Sequence, residues 1–341
     1  MKRGSVNEVA GEADSAVADR LAAWLDDRVP GGSGPVRMEP YARASNEILL
    51  MTRGDERWIV RKAPGAKLSA TAHNMAREFR VLRALEGSDV PHPVPVALCE
   101  DDDVLGAPFM VLGVVDGFTP ELPLPPTFDG PARRAMAFDL IDTLAAVERF
   151  DWRAAGLEGF GKPDGFLERQ VDRWLGQLAT YPTREIPLLD GVASWLRDRC
   201  PSMGRPALLH GDYQWRNVMV GHQLPARIVA VIDWELATIG DPLVDLGWLL
   251  VRWFEPGEHA HEHPPGTVEL TALDGMPTRV ELADRYATQT GRDVGDVDFY
   301  RVLALFKLAA IVEARTALDG PSNAAMVDDM VRRAASIAES A

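Results

Sequence analysis

The chain has 341 residues, 46% apolar and 26% charged, with a formal net charge of −15. That length can bury a sizeable core, as one bilobal unit or two compact domains, and the acidic balance argues against a general nucleic-acid binder, because phosphate backbones reward Lys and Arg. Cys99 and Cys200 lie far apart with no CxxC spacing, which points to reduced thiols rather than a disulfide framework.

The N-terminus turns acidic at Glu8 before any apolar run forms, so no secretory signal is read. The apolar stretch 302–312 is interrupted by Lys307 and too short to span a bilayer. A soluble cytoplasmic protein, monomer or homodimer, with no membrane or nucleic-acid partner is expected.

Val17, Leu21, Trp24 and Leu25 predict a helix over 14–29. Pro30-Gly31-Gly32-Ser33-Gly34-Pro35 then breaks the chain, so 1–34 reads as an N-terminal extension and linker. Strand-like runs follow at 36–41, 47–53 and 57–63, the last two joined by the turn Gly54-Asp55-Glu56. A helix over 69–86 is capped by Ser69, buries Met75, Phe79, Leu82 and Leu85, and stops at Gly87. Strands near 95–100 and 108–115 flank an acidic tip at 100–103. From about residue 130 the pattern turns helical, over 131–149, 165–179, 188–199, 243–254, 279–290, 297–317 and 323–339, with strands confined to 207–233. The expected fold class is α+β: a small antiparallel-sheet lobe with one main helix over 35–112, then a larger, mostly helical lobe over 113–341, with a cleft between them. The His259-Ala260-His261-Glu262-His263 tract, followed by two prolines, reads as an exposed loop rather than a metal site.

The chemistry concentrates in His210-Gly211-Asp212-Tyr213-Gln214-Trp215-Arg216-Asn217 and in Val231-Ile232-Asp233-Trp234-Glu235. Val218-Met219-Val220 and 228–232 predict two strands around a Gly/Pro loop. A hairpin centred near Pro225 sets Val218 opposite Ile232 and Asn217 beside Asp233. An amide oxygen and a carboxylate are hard ligands, suited to Mg²⁺ rather than zinc. Asp212, on the loop feeding the hairpin, can orient a substrate hydroxyl for in-line attack. Alone, Asp233 would be an ordinary turn residue and His210 a structural imidazole; the constellation is what carries the functional reading.

The segments LLHGDYQWRNVMV (208–220), VIDWELATIGDPLVDLGWLL (231–250), REFRVLRAL (77–85) and PFMVLGVVDG (108–117) resemble the aminoglycoside phosphotransferase and choline kinase branch of the protein-kinase-like fold. The likeness is greatest to the bacterial phosphotransferase enzyme family, related to the kinase-like domain of some acyl-CoA dehydrogenase fusions, and extends over most of the chain from about residue 35. The resemblance implies that Asp212 is catalytic, that His210 organises its loop, that Asn217 and Asp233 hold the metal, and that Asp245 supports the catalytic loop. It also implies an ATP or GTP donor. A basic residue ending the third strand, Arg61 or Lys62, would pair with Glu78; neighbouring strand residues face opposite ways, so only one of the two can do so. Ser45 and Asn46 stand in the phosphate loop, where Ala42 and Ala44 replace the glycines common in relatives, and Met110, Val111 and Gly113 would offer backbone to the base. Only eleven residues separate Asp233 from Asp245, too few for a peptide-docking segment, so the acceptor is expected to be a small hydroxyl compound. The alternative is a catalytically weak nucleotide-binding regulator.

Overall fold

A computed structural model describes residues 17–26, 28–29, 34–43, 47–63, 75–258, 268–319 and 323–341. Ser45, Asn46, the Ser69 cap and the 259–263 histidine tract lie outside the described residues. The chain divides into two compact units: Met1–Gly87, His92–Val115 and Asp233–Glu235 form the first, and Ser88–Pro91, Asp116–Ile232 and Leu236–Ala341 the second.

In the first unit, strands β1 (Val36–Arg43), β2 (Glu47–Arg53), β3 (Glu56–Lys62), β4 (Pro95–Cys99) and β5 (Phe109–Gly113) form one sheet of order β1-β2-β3-β5-β4. Every neighbouring pair is antiparallel. Alternation splits the strands into two faces. Leu49, Met51, Trp58, Val60, Ala97, Cys99, Phe109 and Val111 share one core cluster with Leu21 and Leu25 of helix α1 (17–26). Trp24 meets Phe109 edge to face at 5.0 Å between ring centres. Leu21 and Leu25 are fully buried, each contributing about 2 kcal/mol by removal from water, so α1 belongs to this core. Helix α2 (Met75–Leu85) packs on β4 and β5. Its inner face is Met75, Glu78, Val81, Leu82 and Leu85; Phe79, expected inside, is half-buried because Glu78 takes the inward position. The acidic tip is a helical turn, α3 (Asp102–Leu105), capped by Asp101 through a 2.9 Å bond from Asp103 N.

The second unit contains helices α4 (Gly130–Arg149), α5 (Glu168–Leu178), α6 (Leu189–Asp198), α7 (Leu243–Leu250), α8 (Val268–Thr271), α9 (Arg279–Thr290), α10 (Val297–Asp319) and α11 (Ala324–Ser340). Asp129 caps α4, and a Thr278/Glu281 capping box opens α9. Helix α7 stops at Leu250 rather than 254. Arg279 Nε takes Leu250 O at 3.1 Å, and Phe254 N turns to Thr271 Oγ1 at 3.1 Å, which removes the next helical bond. At Gly247 a Cβ would lie 2.6 Å from the backbone of Tyr300. Glycine there lets α10 approach α7 at backbone distance, and Lys307, two turns beyond Tyr300, comes against α7 on the same helix face.

Two strand pairs complete this unit: β6 (Ala207–Leu209) with β9 (Thr238–Gly240), and β7 (Val218–Val220) with β8 (Ile228–Val231). β9 falls outside the window predicted for strands and ends at Gly240. The hairpin register differs by one from expectation: Val218 pairs with Val231, not Ile232. Met219 pairs with Ala230 but Val220 with Ile228, so Val229 is an extra residue that shifts the ladder.

Candidate active site

The segment after β6 is pinned from below by α7. Asp245, buried in the first turn of α7, accepts from His210 N at 2.6 Å and Gly211 N at 2.9 Å. Burial pushes the Asp245 carboxyl above its usual range, opposed by His210 and by these two N–H groups. His210 is fully buried and bridges the loop to the hairpin: Nε2 lies 2.8 Å from Ile232 O, and Nδ1 accepts from Asp212 N at 3.2 Å. With Nδ1 accepting, Nε2 carries the proton and donates. Gly211 has φ +86°, and a Cβ there would sit 2.5 Å from Leu236 O, so only glycine fits the bend.

The Asp212 carboxylate is held on both oxygens. Oδ1 accepts from Gln214 Nε2 at 2.6 Å and from Trp248 Nε1 at 2.7 Å, and Oδ2 accepts from Asn217 Nδ2 at 2.9 Å. Asn217 Nδ2 also reaches Asp212 O at 2.8 Å. The amide nitrogen of Asn217 is thereby turned to Asp212, and its oxygen takes no part in these two bonds. Asn217 O accepts from Ile232 N at 2.9 Å, which sets Asn217 opposite Ile232. Gln214 and Trp248 are missed by sequence reading. A signal for Trp248 exists, since it lies three residues after Asp245 and hence on the same helix face.

Two cations lie over the Trp248 ring, Arg252 Cζ at 3.7 Å and Lys307 Nζ at 4.0 Å from its centre. Lys307 Nζ also donates to Gly211 O at 2.8 Å. Burial pushes Lys307 down to about 8, against the pull of Asp212 and Asp245, and pushes Arg252 down to about 10, against Asp212. A cavity of about 70 Å³ is bordered by Gly211, Trp248, Lys307, Trp174, Phe166 and Leu236. Trp174 thus faces this cavity. Arg169 closes its own loop on Lys162 O at 2.6 Å and on Asp164 O.

In the first unit, Arg61 is the residue on the α2 side of β3. Its guanidinium bonds Glu78 Oε1, reaches Asp233 Oδ1 at 2.6 Å and lies 3.7 Å from Glu235 Oε2. Lys62 has the parity of Trp58 and Val60 and pairs with Glu47 at 2.6 Å. Sheet alternation thus separates the two cations, and Arg61 is the one on Glu78. Burial alone would lower the Arg61 guanidinium, but Glu78 and Asp233 outweigh it and hold it above its ordinary value. Burial pushes Glu78 up to about 7 although Arg61 pulls it down. Glu78 Oε1 also accepts from Trp234 N at 3.2 Å. Asp233 has φ +67°, a left-handed conformation uncommon for a residue with a Cβ; its Oδ1 is on Arg61, and its second oxygen accepts no hydrogen bond from a described residue.

Met110 and Val111 lie inside β5, between β3 and β4, and Gly113 N donates to Val94 O at 2.8 Å. A central strand spends its backbone groups on both neighbours, so Met110 and Val111 do not have the free backbone expected of them, and the N–H of Gly113 is taken as well. Val114 and Val115 are the first residues beyond the ladder. Among the described residues no group of three or more His, Cys, Asp or Glu is placed to hold a metal. The Asn217 amide and the Asp233 carboxylate are each oxygen donors of the hard kind that Mg²⁺ takes. No helix among the described residues is long and apolar enough to cross a membrane.

Residues 37–293 match the phosphotransferase enzyme family. Acyl-CoA dehydrogenase family member 11 of Gallus gallus is 33% identical over 292 residues, covering 83% of this chain and 36% of that protein. Acyl-CoA dehydrogenase family member 10 of Mus musculus is 29% identical over 311 residues, covering 90% of this chain and 29% of that protein. The chain therefore spans about a third of the length of these curated relatives. A crystal structure from Ralstonia eutropha, named provisionally as an aminoglycoside phosphotransferase, is 32% identical with a TM-score of 0.76, covering 94% of this chain and 95% of that one. A variant of aminoglycoside phosphotransferase APH(4)-Ia, in ternary complex with ADP and hygromycin B, shares the fold alone, at 15% identity and a TM-score of 0.61 over 95% of this chain and 98% of that one. The chain belongs to the phosphotransferase enzyme family and has the α+β, kinase-like fold of the aminoglycoside phosphotransferases.

Proposed function

We propose that the protein is an ATP- or GTP-dependent O-phosphotransferase that transfers a γ-phosphoryl group to a hydroxyl of a small molecule. The observation that carries this reading is the Asp212 carboxylate. It is fixed by hydrogen bonds on both oxygens, on a loop whose backbone is fixed by buried Asp245. A carboxylate so held accepts a hydrogen bond from the acceptor hydroxyl and orients its oxygen for in-line attack. His210 and Asp245 keep the loop in place, and Arg61, oriented by Glu78, presents a guanidinium to donor phosphates. Asn217 and Asp233 are the residues that would hold Mg²⁺, which when bound supplies positive charge to the donor phosphates. Val114 and Val115 replace Met110–Gly113 as the backbone expected to meet the base. The ADP in the complex of the APH(4)-Ia variant supports a nucleotide donor.

The short interval between Asp233 and Asp245 favours a small acceptor. The turn Trp234–Leu236, strand β9 and the start of α7 at Leu243 take up nearly all of it. No segment long enough to dock a peptide remains.

The test is thermal stability with ATP or GTP, with and without Mg²⁺, since a ligand of the folded state raises Tm by mass action. A metal-dependent rise is expected in the wild type and in Asp212→Ala, and its loss in Asp233→Ala. Asp212→Ala should lose turnover by at least about 10³-fold. Wild-type turnover in that variant would overturn the mechanism. No stabilisation by either nucleotide at millimolar concentration would shift the assignment to a regulator.

A further inference from the structure

Asp212 is held by more than the motif that contains it. An ionised carboxylate has about two acceptor positions on each oxygen. On Oδ1 both are taken, by Gln214 Nε2 and Trp248 Nε1 at 2.6 and 2.7 Å. On Oδ2 one is taken, by Asn217 Nδ2 at 2.9 Å. Among the described residues' hydrogen bonds a single acceptor position is left, and it is on Oδ2.

Trp248 differs from the other two donors in its origin. Gln214 and Asn217 belong to the loop itself and move with it, whereas Trp248 projects from α7, three residues beyond the Asp245 that ties down the loop backbone. One helix face therefore grips the loop twice, at its backbone through Asp245 and at its carboxylate through Trp248. The indole is in turn fixed by its neighbours. Arg252 Cζ lies 3.7 Å and Lys307 Nζ 4.0 Å from the ring centre, and Lys307 reaches past it to Gly211 O at 2.8 Å. Arg252 Nη1 also donates to Trp248 O at 3.3 Å. Cations over an indole are attracted by its π face, hold its plane, and draw electron density from the ring, which makes its N–H a stronger donor.

We propose that Trp248, clamped by Arg252 and Lys307, is the positioning residue that saturates Oδ1 of Asp212 and leaves Oδ2 as the oxygen that meets the acceptor hydroxyl. This role rests on the protein being a phosphotransferase. Trp248 touches no reacting atom. Its effect is on orientation, and an orientation error at the reacting centre lowers kcat while leaving the donor site intact.

Two readouts test it. In ¹⁵N-labelled protein, the Trp248 indole resonance, assigned among nine tryptophans by its disappearance in Trp248→Phe, is expected downfield and should move upfield in Asp212→Ala. An indole resonance unmoved by Asp212→Ala overturns the clamp without any assay of activity. For turnover, consumption of the nucleoside triphosphate with Mg²⁺ is followed in Trp248→Phe, which keeps an aromatic ring for the two cations and loses the N–H together with the second ring of the indole. A fall in kcat of about 10- to 100-fold with nucleotide KM unchanged is expected, from loss of one hydrogen bond to a charged group. If Asp212→Ala loses turnover while Trp248→Phe keeps kcat within about twofold of wild type, the positioning role is wrong and the phosphotransfer reading stands. If Asp212→Ala itself keeps turnover, the phosphotransfer reading is wrong, and the positioning role falls with it, whatever the indole shows of the hydrogen bond.

Discussion

Asp245→Ala isolates the buried support of the loop that carries Asp212. The wild-type carboxylate is buried and accepts from two backbone N–H groups, His210 N at 2.6 Å and Gly211 N at 2.9 Å. Alanine leaves both donors without a partner in the interior, and an unsatisfied buried donor costs about 1–3 kcal/mol. The expected loss is therefore about 2–6 kcal/mol, against a typical folding stability of about 5–15 kcal/mol. Lys307, whose charge is favoured by Asp245, would also lose that compensation, which places the loss toward the upper part of the range. For a chain of this size about 1 kcal/mol corresponds to about 2–4 °C, so Tm should fall by about 5–20 °C. Asp245→Asn should fall between wild type and alanine. Its amide oxygen accepts from one N–H while its NH₂ opposes the other, and as a neutral group it avoids the burial cost that raises the Asp245 carboxyl. Urea unfolding followed by circular dichroism, with Tm by scanning calorimetry, measures the series. An alanine variant melting within about 1 °C of wild type would refute the claim that these two hydrogen bonds hold the loop.

Gly211→Ala combines a left-handed φ of +86° with a Cβ 2.5 Å from Leu236 O. The conformational term alone is about 1–2 kcal/mol, so Tm should drop by several degrees and turnover should collapse as Asp212 moves; unchanged Tm and kcat would show that the bend tolerates a side chain. Lys307→Met tests the buried ammonium through pH. The folded-state value of about 8 lies below the unfolded value of about 10.5, so between them the unfolded chain binds more protons and wild-type stability rises with pH. The wild-type minus Lys307→Met difference should be flat below about pH 8 and climb in favour of wild type, by at most about 3 kcal/mol, toward pH 10.5; a flat difference across that window would mean the ammonium is not held in an unfavourable setting.

Much of the fold is legible from local pattern. The helix at 279–290 announces itself by Thr278, Glu281 and Gly291, and the β2–β3 hairpin by an apolar run ending at the turn Gly54-Asp55-Glu56, because caps and turns act over a few residues. The elements missed are short and lack such signals. β9 is three residues long and exists because β6 pairs with it, and the end of α7 depends on Arg279, distant in sequence. The hairpin register departs from expectation by one because the extra residue, Val229, resembles its neighbours in the run 228–232 and gives no local mark of a bulge.

The same division runs through the candidate site. The sequence by itself determined that His210, Asp212, Asn217 and Asp233 stand at a spacing suited to metal-assisted phosphoryl transfer, since their separation along a loop and two strands is a covalent property. It left open whether Arg61 or Lys62 meets Glu78. Alternation makes them exclusive, but which face α2 covers is a matter of packing, and α2 covers that of Arg61. Nor did the chain order single out Lys307, seen only as a charge interrupting an apolar run, or Trp248. Trp248 reaches the Asp212 loop directly from α7, three residues beyond Asp245, and Lys307 reaches it because Gly247 admits α10 to backbone contact with α7. Groups that far apart in sequence are brought together by burial of the helices that carry them, and only the tertiary structure decides which of their side chains arrive at the carboxylate.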